Sequence, residues 1–203
     1  MQENGNSLEI EEYKDKLQKI EEECEHPQKG LKIGLVHIYY GDGRGKTSIA
    51  LGTALRASGY GFRTKVIQFM KGIPNLGECR AELRNFEVKQ FGNPKYVIKM
   101  QEPREEDLKL IRMAVEEALS SFNSGSYDIV VLDEVLYALE FGLISREDLI
   151  SVIKAKPRNV ELILTGGRSP PPEIIELADY VSHIVMERHP YNRGIEARRG
   201  IDF

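Results

Sequence analysis

Ten residues close to position 40 carry the chemistry of an anion grip: Tyr39-Tyr40-Gly41-Asp42-Gly43-Arg44-Gly45-Lys46-Thr47-Ser48. Glycines let a backbone approach a ligand without Cβ clashes, a lysine can reach terminal phosphate oxygens, and a threonine hydroxyl can ligate magnesium. Peptide N–H groups at a strand-to-helix turn add a positive helix end aimed at the same anion. The strict pattern asks for glycine five positions before Gly45, where Tyr40 stands, so Gly41 and Gly43 shift the glycines inward and the loop is a variant. Gly41, Asp42, Gly43, Arg44, Gly45, Lys46, Thr47 and Ser48 are therefore the candidate nucleotide-binding residues, and a tight turn without a ligand is the plain alternative.

A second feature is Asp128-Ile129-Val130-Val131-Leu132-Asp133-Glu134, an apolar strand ending in two carboxylates. In a P-loop fold such an acid lies near the loop and holds magnesium directly or through water. The two side chains point to different sides of a strand, so either Asp133 or Glu134 joins Thr47 on the metal side, and the other is free to cap a helix. Thr165-Gly166-Gly167-Arg168 closes another strand and places Arg168 to meet phosphate oxygens in bidentate fashion. Arg56, nine positions beyond Thr47, is either a ligand contact from the far end of the first helix or a surface charge. Lys46 and Arg168 are the candidate catalytic residues.

Positioning these groups requires strands that end together. Leu31 to Tyr39, Thr64 to Phe69, Phe86 to Phe91, Tyr127 to Leu132, Val160 to Thr165 and Tyr180 to Met186 read as strands, with helices expected at Lys46 to Ser58, Glu105 to Phe122, Ser145 to Ala155 and Pro172 to Ala178. Alternation of this kind gives an α/β architecture, a P-loop NTPase (RecA-like) fold with a mostly parallel sheet and helices on both faces. Residues 1–30 stand apart. Ile10, Tyr13, Leu17, Ile20 and Cys24 form a thin helical stripe, and His26-Pro27-Gln28-Lys29-Gly30 reads as a hinge before a domain spanning 31–203.

Composition removes several function classes. The chain has 203 residues, 41% hydrophobic and 30% charged, which suits one soluble domain. Residues 1–30 hold nine acids and four bases, and the remainder is close to neutral, so nothing global attracts nucleic acid or an anionic membrane. No apolar run approaches a bilayer span, and the acidic N-terminus lacks a signal-peptide pattern, so a cytoplasmic protein is expected. Cys24 and Cys79 have no metal-ligand spacing. Neither a nucleophile elbow nor a His-x-x-x-His pair occurs; His37 reads as a satisfied strand residue, and His183 and His189 flank the last strand. A nucleotide cradle without an evident protein nucleophile suggests that a second substrate attacks.

From about Gly30 to Phe203 the chain resembles the P-loop corrinoid adenosyltransferases, the cob(I)alamin or cob(I)yrinic acid a,c-diamide adenosyltransferase family. The resemblance rests on the order of Gly41 to Thr47, Ala54-Leu55-Arg56-Ala57-Ser58-Gly59-Tyr60-Gly61, Val66-Ile67-Gln68-Phe69-Met70-Lys71-Gly72, Val130 to Glu134, Leu164 to Arg168, Ala178-Asp179, and the tail from His189 to Phe203. It implies ATP, Mg2+ and a reduced corrinoid as ligands, with Co(I) attacking the ribose C5′ and triphosphate leaving. It also implies an N-terminal helix that helps cover the corrinoid and a reductase or flavoprotein that supplies Co(I); the amphipathic arm is compatible with a homodimer, and the near-neutral charge gives the expectation of no nucleic-acid or membrane partner. The chain has no tryptophan, which some members carry near the corrinoid's lower face, and Phe91 and Tyr96 are the candidates to substitute for it. The alternatives are a P-loop kinase or ATPase, which would need a base or water-positioning residue, and a non-catalytic ATP-binding regulatory module.

Overall fold

The computed structural model describes residues 13–18, 30–73, 76–93 and 104–203. Six strands form one sheet: β1 (Val36–Tyr40), β2 (Thr64–Phe69), β3 (Phe86–Phe91), β4 (Ile129–Asp133), β5 (Glu161–Thr165) and β6 (Tyr180–His183). Their order is β3-β2-β4-β5-β1-β6, and every pairing is parallel. Parallel strands cannot be joined by hairpins, so helices cross over the faces and bury both sides of the central strands. That explains why β2 and β4 are buried along their whole length, β4 as an apolar run up to Asp133 and β2 with Thr64, Lys65 and Gln68 buried among apolar residues.

Alternate side chains serve opposite faces. Val66, Val131 and Ile163 turn to the face covered by α1 (Lys46–Gly59), whose Ala50, Ala54 and Ala57 form a buried stripe of small residues that lets the helix lie close. Ile67, Val130, Leu132, Leu162 and Leu164 turn to the other, larger core beneath α3 (Glu105–Asn123), α4 (Val135–Glu140), α5 (Arg146–Lys154) and α6 (Pro172–Ile175). A one-turn helix, α2 (Gly77–Arg80), follows β2, and a 3-10 turn, Pro190–Arg193, follows β6. Helix ends are satisfied locally. Three acids, Glu105, Glu106 and Asp107, occupy the first turn of α3, where the dipole favours negative charge, and Ser145 caps α5 by accepting from the Asp148 amide at 3.0 Å.

Most expected boundaries hold, with local differences. The first strand begins at Val36 rather than Leu31, and the last ends at His183 rather than Met186. Two helices were not anticipated, α2 and α4; the second starts directly after a left-handed Glu134 with φ 66°, a break that hydrophobic periodicity does not reveal. Residues 13–18 are helical as expected, with Tyr13 and Leu17 64% and 42% exposed; the rest of the proposed stripe lies outside the described residues. Among the described residues no helix is long and apolar enough to cross a membrane.

Candidate active site

The ends of β1, β2, β4 and β5 meet on one side of the sheet, the edge where open α/β folds bind ligands. The loop from β1 to α1 passes there. Gly41 has φ 114°, and a Cβ on it would fall 2.2 Å from the Ile184 carbonyl oxygen, so only glycine lets the loop run against the chain leaving β6. The amides of Gly41 and Gly43 donate to Gly167 and Ile184 at 2.9 and 2.8 Å, pinning the loop to the exits of β5 and β6. Gly45, with φ 116° and open space beside it, turns the chain into α1, whose first N–H groups have no intrahelical acceptor. Lys46 Nζ bridges the carbonyls of Gly41 and Gly43 at 2.7 Å each and lies 5.8 Å over the Tyr137 ring. Burial lowers the Lys46 pKa, against the pull of Glu134 and Asp42.

Asp133, fully buried, is the hub beneath the loop. Its Oδ1 accepts from Thr47 Oγ1 at 2.8 Å and from Thr165 Oγ1 at 2.7 Å; its Oδ2 accepts from Lys71 Nζ at 2.6 Å and Gln68 Nε2 at 3.1 Å. Gln68 is the register partner of Asp133 on the neighbouring strand, and it also donates to Glu78 at 2.8 Å. Glu134 leaves the sheet on a left-handed turn, its amide donating to Thr165 Oγ1 at 3.0 Å and its carboxylate 3.9 Å from Lys71 Nζ. Burial raises the Glu134 pKa, and the neighbouring Asp133 charge adds to it.

These groups floor a cleft of about 750 Å³. Its polar end is Gly43 to Ser48 with Lys71 and Glu134; its apolar end includes Leu51, Leu55, Leu83 and Phe86, and the tail residues Gly200 to Phe203 fold across it. Such a volume, with few convergent polar groups, suits a small-molecule ligand.

The decisive match concerns nearly the whole chain: a sequence profile described as ATP:corrinoid adenosyltransferase BtuR/CobO/CobP fits residues 32–203. The protein belongs to the ATP:corrinoid adenosyltransferase family. It is 31% identical over 196 residues to the corrinoid adenosyltransferase of Escherichia coli (strain K12), covering 95% of this chain and 98% of that one. The corrinoid adenosyltransferase CobA of Salmonella typhimurium (strain LT2) matches at the same identity and coverage. The corrinoid adenosyltransferase of Pseudomonas aeruginosa (strain PAO1) is 31% identical over 172 residues, 84% of each chain.

Within this adenosyltransferase the structure brings together Gly43, Arg44, Gly45, Lys46, Thr47, Ser48 and Glu134 at the cleft, with Asp133 directly beneath. Arg168 does not line the cleft; its amide donates to Glu140 at 2.8 Å, and its exposed side chain lies beside Tyr137, a cleft residue. Asp42 and Arg56 are turned elsewhere, and Arg44 lines the cleft with its guanidinium already engaged by the tail. Asp42 accepts from the Met186 amide at 3.1 Å and so fastens the loop; Arg44 donates to the Ile201 carbonyl at 2.5 Å and pairs with Asp202 at 2.8 Å; Arg56 is exposed in the last turn of α1, about 15 Å along the helix from Lys46. Phe91 does not face the cleft either. It is 5% exposed in the core under α3, because it lies on the α3 face of β3, and there, unlike Glu87 and Lys89 before it, it is covered by the core cluster. Tyr96 lies outside the described residues.

The sequence carried Gln68, Lys71, Thr165 and the tail only as parts of the resemblance, and gave none of them, nor Tyr137, a place in the site. A polar residue inside the apolar run Val66-Ile67-Gln68-Phe69 was the available signal for Gln68, since buried polar groups demand partners. The return of residues 200–203 over the cleft is a long-range contact with no local signal.

Proposed function

We propose that the protein transfers the 5′-deoxyadenosyl group of ATP to the Co(I) centre of a reduced corrinoid and releases inorganic triphosphate. The observation that carries this reading is a phosphate grip beside a roomy cleft in which, among the described residues, no side chain is set up to attack. Burial, reinforced by Glu134, raises the Tyr137 phenol, and burial with Glu78 raises the Cys79 thiol, so both stay protonated and weakly nucleophilic. The electron pair of the substrate's cobalt then forms the Co–C5′ bond. The C5′–O bond breaks, and its electrons leave on the triphosphate. Protein work reduces to aligning C5′ with cobalt and stabilising charge on the departing chain. Lys46 and the amides opening α1 are placed for that task, with Arg168 exposed beside Tyr137.

The oxygen donors present fit Mg2+. Thr47 offers a hydroxyl, and Glu134 a cleft-side carboxylate, whereas the Asp133 carboxylate already accepts four hydrogen bonds and serves better to orient Thr47. Among the described residues no cluster of three or more His, Cys, Asp or Glu could hold an ion alone, which suits a cation that takes its remaining ligands from phosphates and water. When bound, Mg2+ would neutralise charge developing on the leaving group. On the same reading, residues 1–30 form an arm whose exposed Tyr13 and Leu17 cover the corrinoid or a second copy in a homodimer, residues 31–203 form the catalytic domain, and a cytoplasmic reductase or flavoprotein supplies Co(I).

The test is anaerobic incubation with Mg-ATP and chemically reduced cobalamin, following the light-sensitive cobalt–carbon absorbance and the phosphorus product. Adenosylcorrinoid with intact triphosphate is expected. Release of single phosphate, or phosphorylation of an acceptor, would support the kinase or ATPase reading instead.

A further inference from the structure

We propose that Lys71 is a second triphosphate-binding lysine, seated on Asp133 and Thr47 and reaching the phosphoryl chain that Lys46 grips from the loop. This deepens the ATP reading above and rests on it. Lys71 lines the cleft, and its ammonium lies 2.6 Å from Asp133 Oδ2 and 3.4 Å from Thr47 Oγ1. An ammonium has three N–H donors, and Glu134 at 3.9 Å is beyond hydrogen-bond reach, so one donor remains for the cleft. The side chain keeps 24% of its surface while Asp133 below it keeps none. The seat is thus closed underneath and open above.

The backbone is bent to put the lysine there. Met70 adopts φ 58°, a left-handed conformation that costs a non-glycine residue of order 1 kcal/mol or more. The next turn is wedged against β3: a Cβ on Gly72 would fall 2.2 Å from the Gly92 carbonyl oxygen, and the Met70 amide donates to Phe91 at 2.9 Å. An ion pair alone needs no such turn, since Lys65 pairs with two carboxylates from regular strand geometry on the same β2.

Charge around the cleft points the same way. Among the described residues, Arg44 is held by Asp202, which leaves Lys46 and Lys71 as the lysines lining the cleft beside Glu134 and Glu78. With Lys46 alone those side chains would carry a net negative charge beside the phosphate grip, and a polyanion would be repelled. With Asp133 beneath them counted as well, Lys71 lessens that negative charge beside Thr47.

The experiment is calorimetric titration of the full-length protein with inorganic tripolyphosphate, with and without Mg2+ and without corrinoid. Lys71→Gln is expected to weaken binding by about tenfold or more, the scale of one charge-assisted hydrogen bond, while Lys71→Arg stays within about threefold of wild type. The pair Lys71→Gln/Asp133→Asn removes the carboxylate that a lone substitution would leave buried without its cation, so it guards against misfolding. It too is expected to bind weakly. Wild-type affinity in Lys71→Gln, or its recovery in the pair, would overturn the proposal and reduce Lys71 to a counter-ion for Asp133. Lys46→Ala in the same titration separates the two readings: loss there with no loss at Lys71 sinks this proposal alone, and no loss at either sinks the ATP assignment.

Discussion

Two lysines six residues apart, Lys65 within β2 and Lys71 just past it, each sit between two carboxylates, yet their surroundings differ. Lys65 pairs with Glu87 and, at 2.8 Å, with Glu117; Tyr127 donates to Glu87 at 2.6 Å and Lys89 to Glu117 at 2.5 Å. Only 3% of its side chain is exposed, and its partners come from β3 and α3 without backbone strain. The Lys71 cluster is floored by β4 and β5, roofed by a cleft, and flanked by left-handed residues at Met70 and Glu134. Burial opposes charge on both lysines, and in both cases the neighbouring carboxylates outweigh it and raise the pKa. Contact lists alone would not separate them. What separates them is closure around the lysine itself: Lys65 is sealed beneath partners whose outer members, Glu87 and Lys89, reach solvent, and Lys71 opens on a cleft.

The largest expected effect tests the open side. Lys46→Ala should lower adenosyl transfer by about 10²–10³-fold, the usual consequence of deleting a group that stabilises developing anionic charge, and change thermal stability little. Activity assays beside a melting curve read both quantities. Loss of stability together with activity would mean that the loop lysine is architectural, like Lys65.

Lys65→Met should do the reverse, costing about 2 kcal/mol of stability through its charged hydrogen bonds while leaving tripolyphosphate affinity unchanged. The pH dependence follows from the directions of shift. The Lys65 pKa is raised, so its contribution is present below the unfolded lysine value and lost as pH rises through the higher folded value. The pKa of Glu87 is lowered, first by its bond from Lys65; that of Glu117 is lowered because bonds from Lys65 and Lys89 overcome burial. Their contribution is present above the ordinary carboxylate value, about 4, and lost as pH falls through the lower folded values. The stability gap between wild type and Lys65→Met in denaturant should therefore be flat across neutral pH and narrow at both extremes. A gap that widens in acid would contradict the assignment of this cluster as closed.

This contrast also explains which parts of the site could be read from the chain. Gly45-Lys46-Thr47 and the acidic strand end are local patterns, so the loop, the acids beside it and the parallel sheet were legible. The different surroundings of Asp133 and Glu134 were not, because Thr47, Thr165, Gln68 and Lys71 converge on Asp133 from three other segments. Lys71 itself followed a recognisable stretch, but its direction is set by the turn at Met70. Phe91 was misplaced for the opposite reason: an aromatic at a strand end suggests a ligand face, and only the packing of α3 shows that it points into the core.

Arg168 should give an intermediate result, about five- to tenfold in activity on Arg168→Ala, because it is exposed and lies beside Tyr137 outside the cleft lining, where solvent weakens charge interactions. A loss comparable to Lys46→Ala would place it on the leaving triphosphate itself and move the boundary of the open region outward. An unchanged rate would confine that region to the loop and the β2 and β4 exits.

The smallest expected effect is at Arg56. It lies in the last turn of α1, exposed and outside the cleft, where a cation interacts favourably with the helix C-terminus and contributes at most about 1 kcal/mol. Arg56→Ala should lower stability by no more than that and leave tripolyphosphate affinity unaltered. The useful comparison is activity measured across protein concentration. Within one chain the guanidinium stands roughly three helical turns from Lys46, so a rate that falls on substitution only at concentrations where copies associate would mean that Arg56 serves the open site of a neighbouring molecule. Equal rates at every concentration would leave it as a surface charge, belonging to neither cluster.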